Sequence, residues 1–301
     1  TSLGWNAGSR RFAGAVALLG CVLVGTRPAL GQARIGDVRT EPLVVLETGG
    51  HNGEIRALTF TPGGDRLLSA GEDKTVRVWD LRGGHAELER VIRPPMWRGF
   101  QGAIYAMALS PREIPGEPGQ RYLAVAGYGT FWRGAVLVYR YPGRTNFPTG
   151  DLVATLPATD APPNVIAATG ARVIVPALAF APDGVTLAAG SEDGRVRLWN
   201  VPARTFQAFP AHTGQVWTLG FFPDGNRLAT GGEDGRLRIW DRANLAAPVR
   251  DVGPLPVGIA PQQEGLPVHT LAISPDSRWV VWGHENGWLR RLEVATGQEI
   301  L

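Results

Sequence analysis

The residues best able to bind a metal or move a proton in this chain are five histidines and a recurring pair of carboxylates. The histidines are His51, His85, His212, His269 and His284, and the carboxylates stand as Glu72-Asp73, Glu192-Asp193 and Glu233-Asp234. No two histidines have the His-x-x-x-His spacing that would set two imidazoles on one helix face, so zinc-type hydrolysis lacks a ligand set. Ser191 lies in Gly-Ser-Glu-Asp-Gly, a turn sequence and not a Gly-x-Ser-x-Gly elbow, and no phosphate-cradling glycine loop occurs. Cys21 is the sole cysteine, and its loss with a cleaved leader would leave no thiol chemistry, disulfide or cysteine–metal site. No catalytic residue, metal or cofactor is expected. An Asp that follows Glu once per repeating unit reads as a turn former before it reads as a catalyst.

The elements that carry these residues repeat. His51 to Asp80 and His212 to Asp241 are near copies, each running from a His through alternating apolar residues and a Pro-x-Gly turn to Gly-Glu-Asp and a terminal Trp-Asp. With the turn proline as origin, Pro62 to Trp79, Pro182 to Trp199, Pro223 to Trp240 and Pro275 to Leu292 are each 17 residues apart. From Pro111 to Tyr139 the separation is 28, because Arg112 to Gln120 inserts what reads as a polar Pro/Gly loop between Ile104–Leu109 and Tyr122–Ala126; this is the same unit with a longer hairpin. Within a unit, Ala57–Phe60, Arg66–Ala70 and Thr75–Trp79 are short apolar and β-branched runs separated by turns, the pattern of antiparallel strands. With 40 Gly and 24 Pro and little helical periodicity after the first 30 residues, the fold class is all-β.

On His51, Ser69, Asp73 and Trp79, and on His212, Thr230, Asp234 and Trp240, the unit resembles the WD40 repeat of β-propellers. The resemblance covers roughly Pro42 to Leu301 and implies four-stranded antiparallel blades, five of them present. It implies that those eight residues are structural, a hydrogen-bonded chain of indole, hydroxyl, imidazole and carboxylate tying strands together. A buried Trp N–H and a buried His need partners in any case. Other units depart from the pattern: Ala189 replaces the hydroxyl of the third, Asn286 and Leu292 stand in the fifth, and Tyr139 in the second.

Outer strands are expected at Glu87–Ile92, Asp151–Leu156, Arg204–Phe209, Pro248–Val252 and from Gln298 to Leu301. Pro42 to Glu47 is then an outer strand without a blade. The expectation is a fragment of a seven-bladed ring with about two blades beyond Leu301; a chain stable as a monomer would count against it.

Residues 1–33 read as a secretory signal peptide: a basic Ser9-Arg10-Arg11, an apolar run from Phe12 to Gly25, and Gly31-Gln32-Ala33 at cleavage-site spacing. Retention as an N-terminal membrane anchor is the alternative, although the run is short of the roughly 20 residues a span requires. Cys21 after Leu18-Leu19-Gly20 offers a third, lipidation. Residues 34–41 are a linker and 42–301 the propeller. Three of the 30 basic residues, Arg10, Arg11 and Arg27, and none of the 27 acidic ones precede residue 34, so the remainder carries 27 of each sign. That balance argues against nucleic acid as a partner. After leader cleavage no stable membrane insertion is expected, and the protein would be bacterial, exported, and periplasmic or extracellular.

The resemblance also implies a top face around the channel. It assigns to that face Glu72, Trp132, Glu192, Glu233 and Glu285 before the turn Asp, and Glu54, Arg56, Tyr105, Gln215, Trp217 and His269 at the inner strand. The function implied is a non-catalytic scaffold that binds a protein or peptide there, one that is basic and tolerant of aromatics. Glu as a merely solvated turn residue is the plainer alternative. Arg77, Arg197, Arg238 and Arg290, two residues before the Trp position, read as blade-to-blade packing and pairing. Finally, Ile92 to Pro95 with Gly102–Ala106 and Leu109–Pro111 is similar to bacterial WD-repeat proteins that sometimes carry a caspase-like protease domain. The propeller would then be the sensory or targeting half of a larger enzyme.

Overall fold

A computed structural model describes residues 49–94, 102–128, 135–142, 151–157, 174–254 and 266–300. They form five four-stranded antiparallel sheets, each a simple meander, arranged as the blades of a β-propeller. Blade 1 holds β1 (Ile55–Phe60), β2 (Arg66–Gly71), β3 (Val76–Asp80) and β4 (Glu87–Ile92). Blade 2 holds β5 (Ile104–Ile114), β6 (Glu117–Gly127), β7 (Ala135–Tyr141) and β8 (Leu152–Pro157). Blade 3 holds β9 (Ala177–Phe180), β10 (Thr186–Gly190), β11 (Arg195–Asn200) and β12 (Thr205–Pro210). Blade 4 holds β13 (Val216–Phe221), β14 (Arg227–Gly232), β15 (Leu237–Asp241) and β16 (Arg250–Val252). Blade 5 holds β17 (Val268–Ile273), β18 (Trp279–His284), β19 (Leu289–Glu293) and β20 (Glu299–Ile300).

The fixed 17-residue unit is the second and third strands with their turns. The first turn of blades 1, 3 and 4 closes through Gly64, Gly184 and Gly225, whose φ values of 71°, 78° and 72° lie in the left-handed region. Blade 5 places Ser277 there at φ 61°. In blade 2 the expected polar loop is for the most part strand: β5 and β6 extend to 11 residues each and meet at a tight turn around Gly116. Two register shifts twist this ribbon, and an Arg140–Glu117 hydrogen bond of 2.6 Å ties its end to β7. The Pro and Gly that suggested a loop instead occupy a bulged, solvent-facing hairpin, where missing ladder donors are tolerated.

The core lies between blades. Each blade packs on the next through its inner strands, and no comparable strand contact joins blade 5 to blade 1 among the described residues. One column of residues, seven before each turn proline, shows the packing: Ile104, Val175, Val216 and Val268 are fully buried against the preceding blade. Val216 and Val268 stand over glycines eight after the preceding blade's proline, Gly190 and Gly231. A methyl group on Gly190 would meet Val216 Cγ1 at 2.7 Å, and one on Gly231 would meet Val268 Cγ1 at 2.4 Å. These are knobs over holes, and the glycines are required by the approach.

Candidate partner-binding face

Both well-matched units assemble the same hydrogen-bonded chain. In blade 1, Trp79 Nε1 donates to Ser69 Oγ at 2.8 Å, Ser69 Oγ lies 2.7 Å from His51 Nε2, and His51 Nδ1 lies 2.9 Å from Asp73. In blade 4 the corresponding distances through Trp240, Thr230, His212 and Asp234 are 3.0, 2.8 and 2.8 Å. Burial would raise both carboxyls, but hydrogen bonds from His51 and Thr75 hold Asp73 below its usual range, and His212 and Arg238 hold Asp234 lower still. Asp73 and Asp234 also accept backbone N–H groups two residues on, so they close the turn as well as the chain.

The departures have specific consequences. With Ala189 at the hydroxyl position, Trp199 Nε1 is buried with no hydrogen-bond partner. Blade 5 redistributes the volume instead of losing it. Its hydroxyl position holds Trp282, its Trp position holds Leu292, and His284 stands where blade 4 has Gly232. A methyl group on Gly232 would sit 2.3 Å from the His212 ring. His284 therefore grows an imidazole from β18 into space that blade 4 fills from its loop, and its Nδ1 donates to the Leu266 carbonyl at 3.0 Å. The sequence reading missed this exchange, although Trp282 paired with Leu292 is a visible large-for-small swap.

The strand arginines are buried as pairing groups inside the blades more than between them. Arg197 and Arg238 each reach their own turn Asp at 2.7 Å. Arg290, which faces Asn286 where the others have Asp, turns to Glu299 and to the Gly253 carbonyl of blade 4 at 2.8 Å.

The residues assigned to the top face share a backbone feature that the sequence reading did not see. Register shifts fall between Ile55 and Ala57, Ile104 and Ala106, Val216 and Thr218, and Val268 and Thr270. Arg56, Tyr105, Trp217 and His269 are thus the extra residues of four β-bulges, a device that re-aims a side chain out of the sheet's alternation. The signal lay in the partner strand: Gly71 and Gly127 face these bulges so closely that a methyl group would lie 2.2 and 2.0 Å from the carbonyl oxygens of Glu54 and Ala103. Blade 3 has Pro176 at the equivalent position.

The bulges place these side chains in pairs across blade junctions. At the junction of blades 1 and 2, the Arg56 guanidinium lies over the Tyr105 ring at 5.5 Å and donates to Glu72 at 3.0 Å, with Glu54 at 2.9 Å. Burial, then the Glu72 charge, pushes the Tyr105 phenol up and keeps it neutral. At the junction of blades 4 and 5, the Trp217 and His269 rings lie 4.8 Å apart. Trp217 Nε1 and His269 Nε2 are buried without a hydrogen-bond partner, Glu285 standing 3.8 Å from the latter, beyond hydrogen-bond length. Burial pushes the His269 imidazole down, against the pull of Glu285. Glu192 and Glu233 are exposed but accept the Ile174 and Gln215 amides at 3.3 and 3.0 Å, so their carboxylates brace the segments that lead into the inner strands of blades 3 and 4. Trp132 lies outside the described residues, as do Pro42–Glu47 and residues 1–33. Among the described residues no three His, Cys, Asp or Glu side chains group as a metal site, and no helix is long and apolar enough to cross a membrane.

The WD40 family model (WD domain, G-beta repeat) matches residues 41–80, 166–200 and 203–241. A WD repeat and SOCS box-containing protein 1 of Xenopus tropicalis is 38% identical over 91 residues, 30% of this chain and 20% of that protein. The human protein of the same name matches to the same extent. A small ribosomal subunit protein RACK1y of Oryza sativa subsp. japonica is 28% identical over 153 residues, 50% of this chain and 36% of that protein. The chain thus spans about a fifth to a third of the curated relatives it matches. The matched segments are those of blades 1, 3 and 4, and these blades carry WD40 repeats.

Proposed function

We propose that this chain is a non-catalytic scaffold whose propeller docks a basic protein segment on the face that carries the bulges. The observation that supports this most is the Trp217–His269 pair. It sets two polar atoms without partners into an aromatic junction, with the Glu285 carboxylate 3.8 Å from the imidazole. Desolvated aromatics surrounded by charge are where binding energy concentrates in protein interfaces. A docked segment would supply a carbonyl for the indole N–H and a cation for the rim, with small shifts of the two rings. Arg56, already neutralised by Glu54 and Glu72, would orient Tyr105 and not the partner. WD40 propellers generally bind proteins, and the relatives named above are consistent with that role.

The test is affinity capture with the wild-type chain and with Trp217→Ala and Tyr105→Ala, followed by titration of whatever is captured. Trp217→Ala should weaken binding at least tenfold, Tyr105→Ala less, with Tm unchanged within a few degrees for Tyr105→Ala. Unchanged affinity in both would reject the top face. We further infer, from the composition of residues 1–33 alone, export with loss of the leader. N-terminal sequencing of the protein from culture fractions tests that.

A further inference from the structure

Asn-Gly is the dipeptide most prone to spontaneous deamidation, because a glycine, without a Cβ, leaves its backbone nitrogen unhindered. It occurs twice, at Asn52-Gly53 and Asn286-Gly287, and both asparagines are exposed. At 286 the reacting groups are held. The Gly287 amide donates to the His284 carbonyl at 3.1 Å, and the Asn286 carboxamide oxygen accepts the Trp288 amide at 3.3 Å. At 52 neither the Gly53 amide nor the Asn52 carboxamide has a hydrogen-bond partner among the described residues. The position itself makes this so. Blade 4 has Thr213-Gly214 there, Thr213 is exposed, and the Gly214 amide also lacks a partner among the described residues, although Gly194 of blade 3 packs closely on it. What holds the segment is the other amide. Asn52 N–H donates to Asp73 at 3.2 Å, on the oxygen that His51 Nδ1 approaches at 2.9 Å. A methyl group on Gly53 would meet the Asp73 nitrogen at 2.9 Å, so the backbone from His51 to Gly53 lies on the turn without slack.

We propose that Asn52 is a deamidation site and that its conversion opens the hydrogen-bonded chain of blade 1. The Gly53 nitrogen, deprotonated by hydroxide, bonds to the Asn52 side-chain carbonyl carbon; the carboxamide C–N bond breaks, ammonia leaves and a succinimide closes. Water then opens the ring at either carbonyl and leaves aspartate or isoaspartate. The net change is one water taken up and one ammonia lost. Both products add a carboxylate beside Asp73, whose own carboxyl is held ionised by His51 and Thr75. Isoaspartate also lengthens the main chain by a methylene between His51 and Gly53. A segment without slack then releases Asp73, and His51 moves off Ser69. Blade 4, with Thr213, has no carboxamide at this position and keeps its chain. At Asn286 the same reaction waits on opening of the turn, which breaks two hydrogen bonds and slows it by about tenfold. The proposal is independent of the top-face reading.

Peptide mapping by mass spectrometry reads both sites at once, on the 301-residue chain held at mildly alkaline pH and sampled over weeks. Conversion shows as replacement of NH2 by OH, and isoaspartate is counted by enzymatic methylation. In the folded chain Asn52 should convert about tenfold faster than Asn286. In urea the two rates should converge, because only the dipeptide is left. Aged wild type should lose several degrees of Tm in proportion to conversion at 52, and Asn52→Thr, which installs the residue blade 4 carries, should lose none. Asn52→Asp, which adds the charge without the methylene, should show a smaller loss than the isoaspartate form. Equal rates in the folded chain, or faster conversion at Asn286, overturn the proposal. A difference that persists in urea assigns the preference to flanking sequence and overturns it equally. Conversion at 52 with Tm unchanged, or an aged Asn52→Thr that loses as much as wild type, overturns the effect on blade 1.

Discussion

Blades 1 and 4 are built from nearly the same thirty residues, and they differ in how far their apolar faces are covered. The hydrogen-bonded chain from Trp to Asp has the same partners in both, with distances within a few tenths of an ångström. Yet Val216 is fully buried and Ile55 half exposed, and Trp240 is buried against Phe209 at 4.7 Å while Trp79 is only partly covered. The polar chain is a property of one blade, closed by hydrogen bonds that each join residues at most 22 positions apart. The apolar faces are properties of two blades, and their burial depends on which neighbour is present. Stability in a stacked array is of this kind, an intrinsic contribution from each unit and a contribution from each junction.

Substitutions in the two blades can separate those contributions. Trp240→Ala should destabilise by about 3–5 kcal/mol in urea unfolding, and Trp79→Ala by no more than about 2, since less of its surface leaves water. Equal losses would mean that the junction contributes nothing. Val216→Asp, which buries a charge without a partner, should cost at least about 3 kcal/mol. Ile55→Asp, at a half-exposed position, should stay within about 0.5 kcal/mol.

The polar chain should behave in the opposite way. Ser69→Ala and Thr230→Val each strand an indole N–H and an imidazole, and each should cost about 1–3 kcal/mol, with no preference for blade 4. Its pH dependence has one sign in both blades. Asp73 and Asp234 have folded pKa values below their unfolded ones. The stability they lend is complete above about pH 4, the unfolded value, and is lost as pH falls through the folded values. Asp73→Asn and Asp234→Asn should each flatten the acid limb of a Tm-against-pH curve.

A small effect lies in the turn after Asp. Lys74 has φ 65° where Gly235 has φ 70°. Lys74→Gly should stabilise by about 0.5–1 kcal/mol, and Gly235→Lys should destabilise by a similar amount. No change in thermal unfolding for either would show that the turn relaxes at no cost.

What could be read before any coordinates followed from local pattern. The Pro-x-Gly and Gly-Glu-Asp turns bracket runs too short for anything but strands, and a 17-residue spacing from turn proline to Trp position set the register of four blades, the degenerate fifth included. Outer strands were located within one or two residues. The insertion after Pro111 was legible as a longer hairpin, but its Pro and Gly read as loop where they lie on strand, because cross-strand pairing, which distinguishes the two, leaves no mark in a single strand. The bulges at Arg56, Tyr105, Trp217 and His269 were not legible, because one extra residue does not disturb an alternation already broken by polar residues.

The His, hydroxyl, Asp and Trp that announce the repeat are therefore legible because their contacts are short-range along the chain, each spacing being dictated by one hairpin. Which aromatic of the top face meets which, and whether a given apolar face is covered, depend on the stacking of one blade upon another. Arg56 over Tyr105 and Trp217 against His269 join residues about fifty positions apart. Ile55 and Val216, alike in sequence, part company for the same reason: hydrophobic burial is set by what lies across the interface, and a repeat describes only its own side of it.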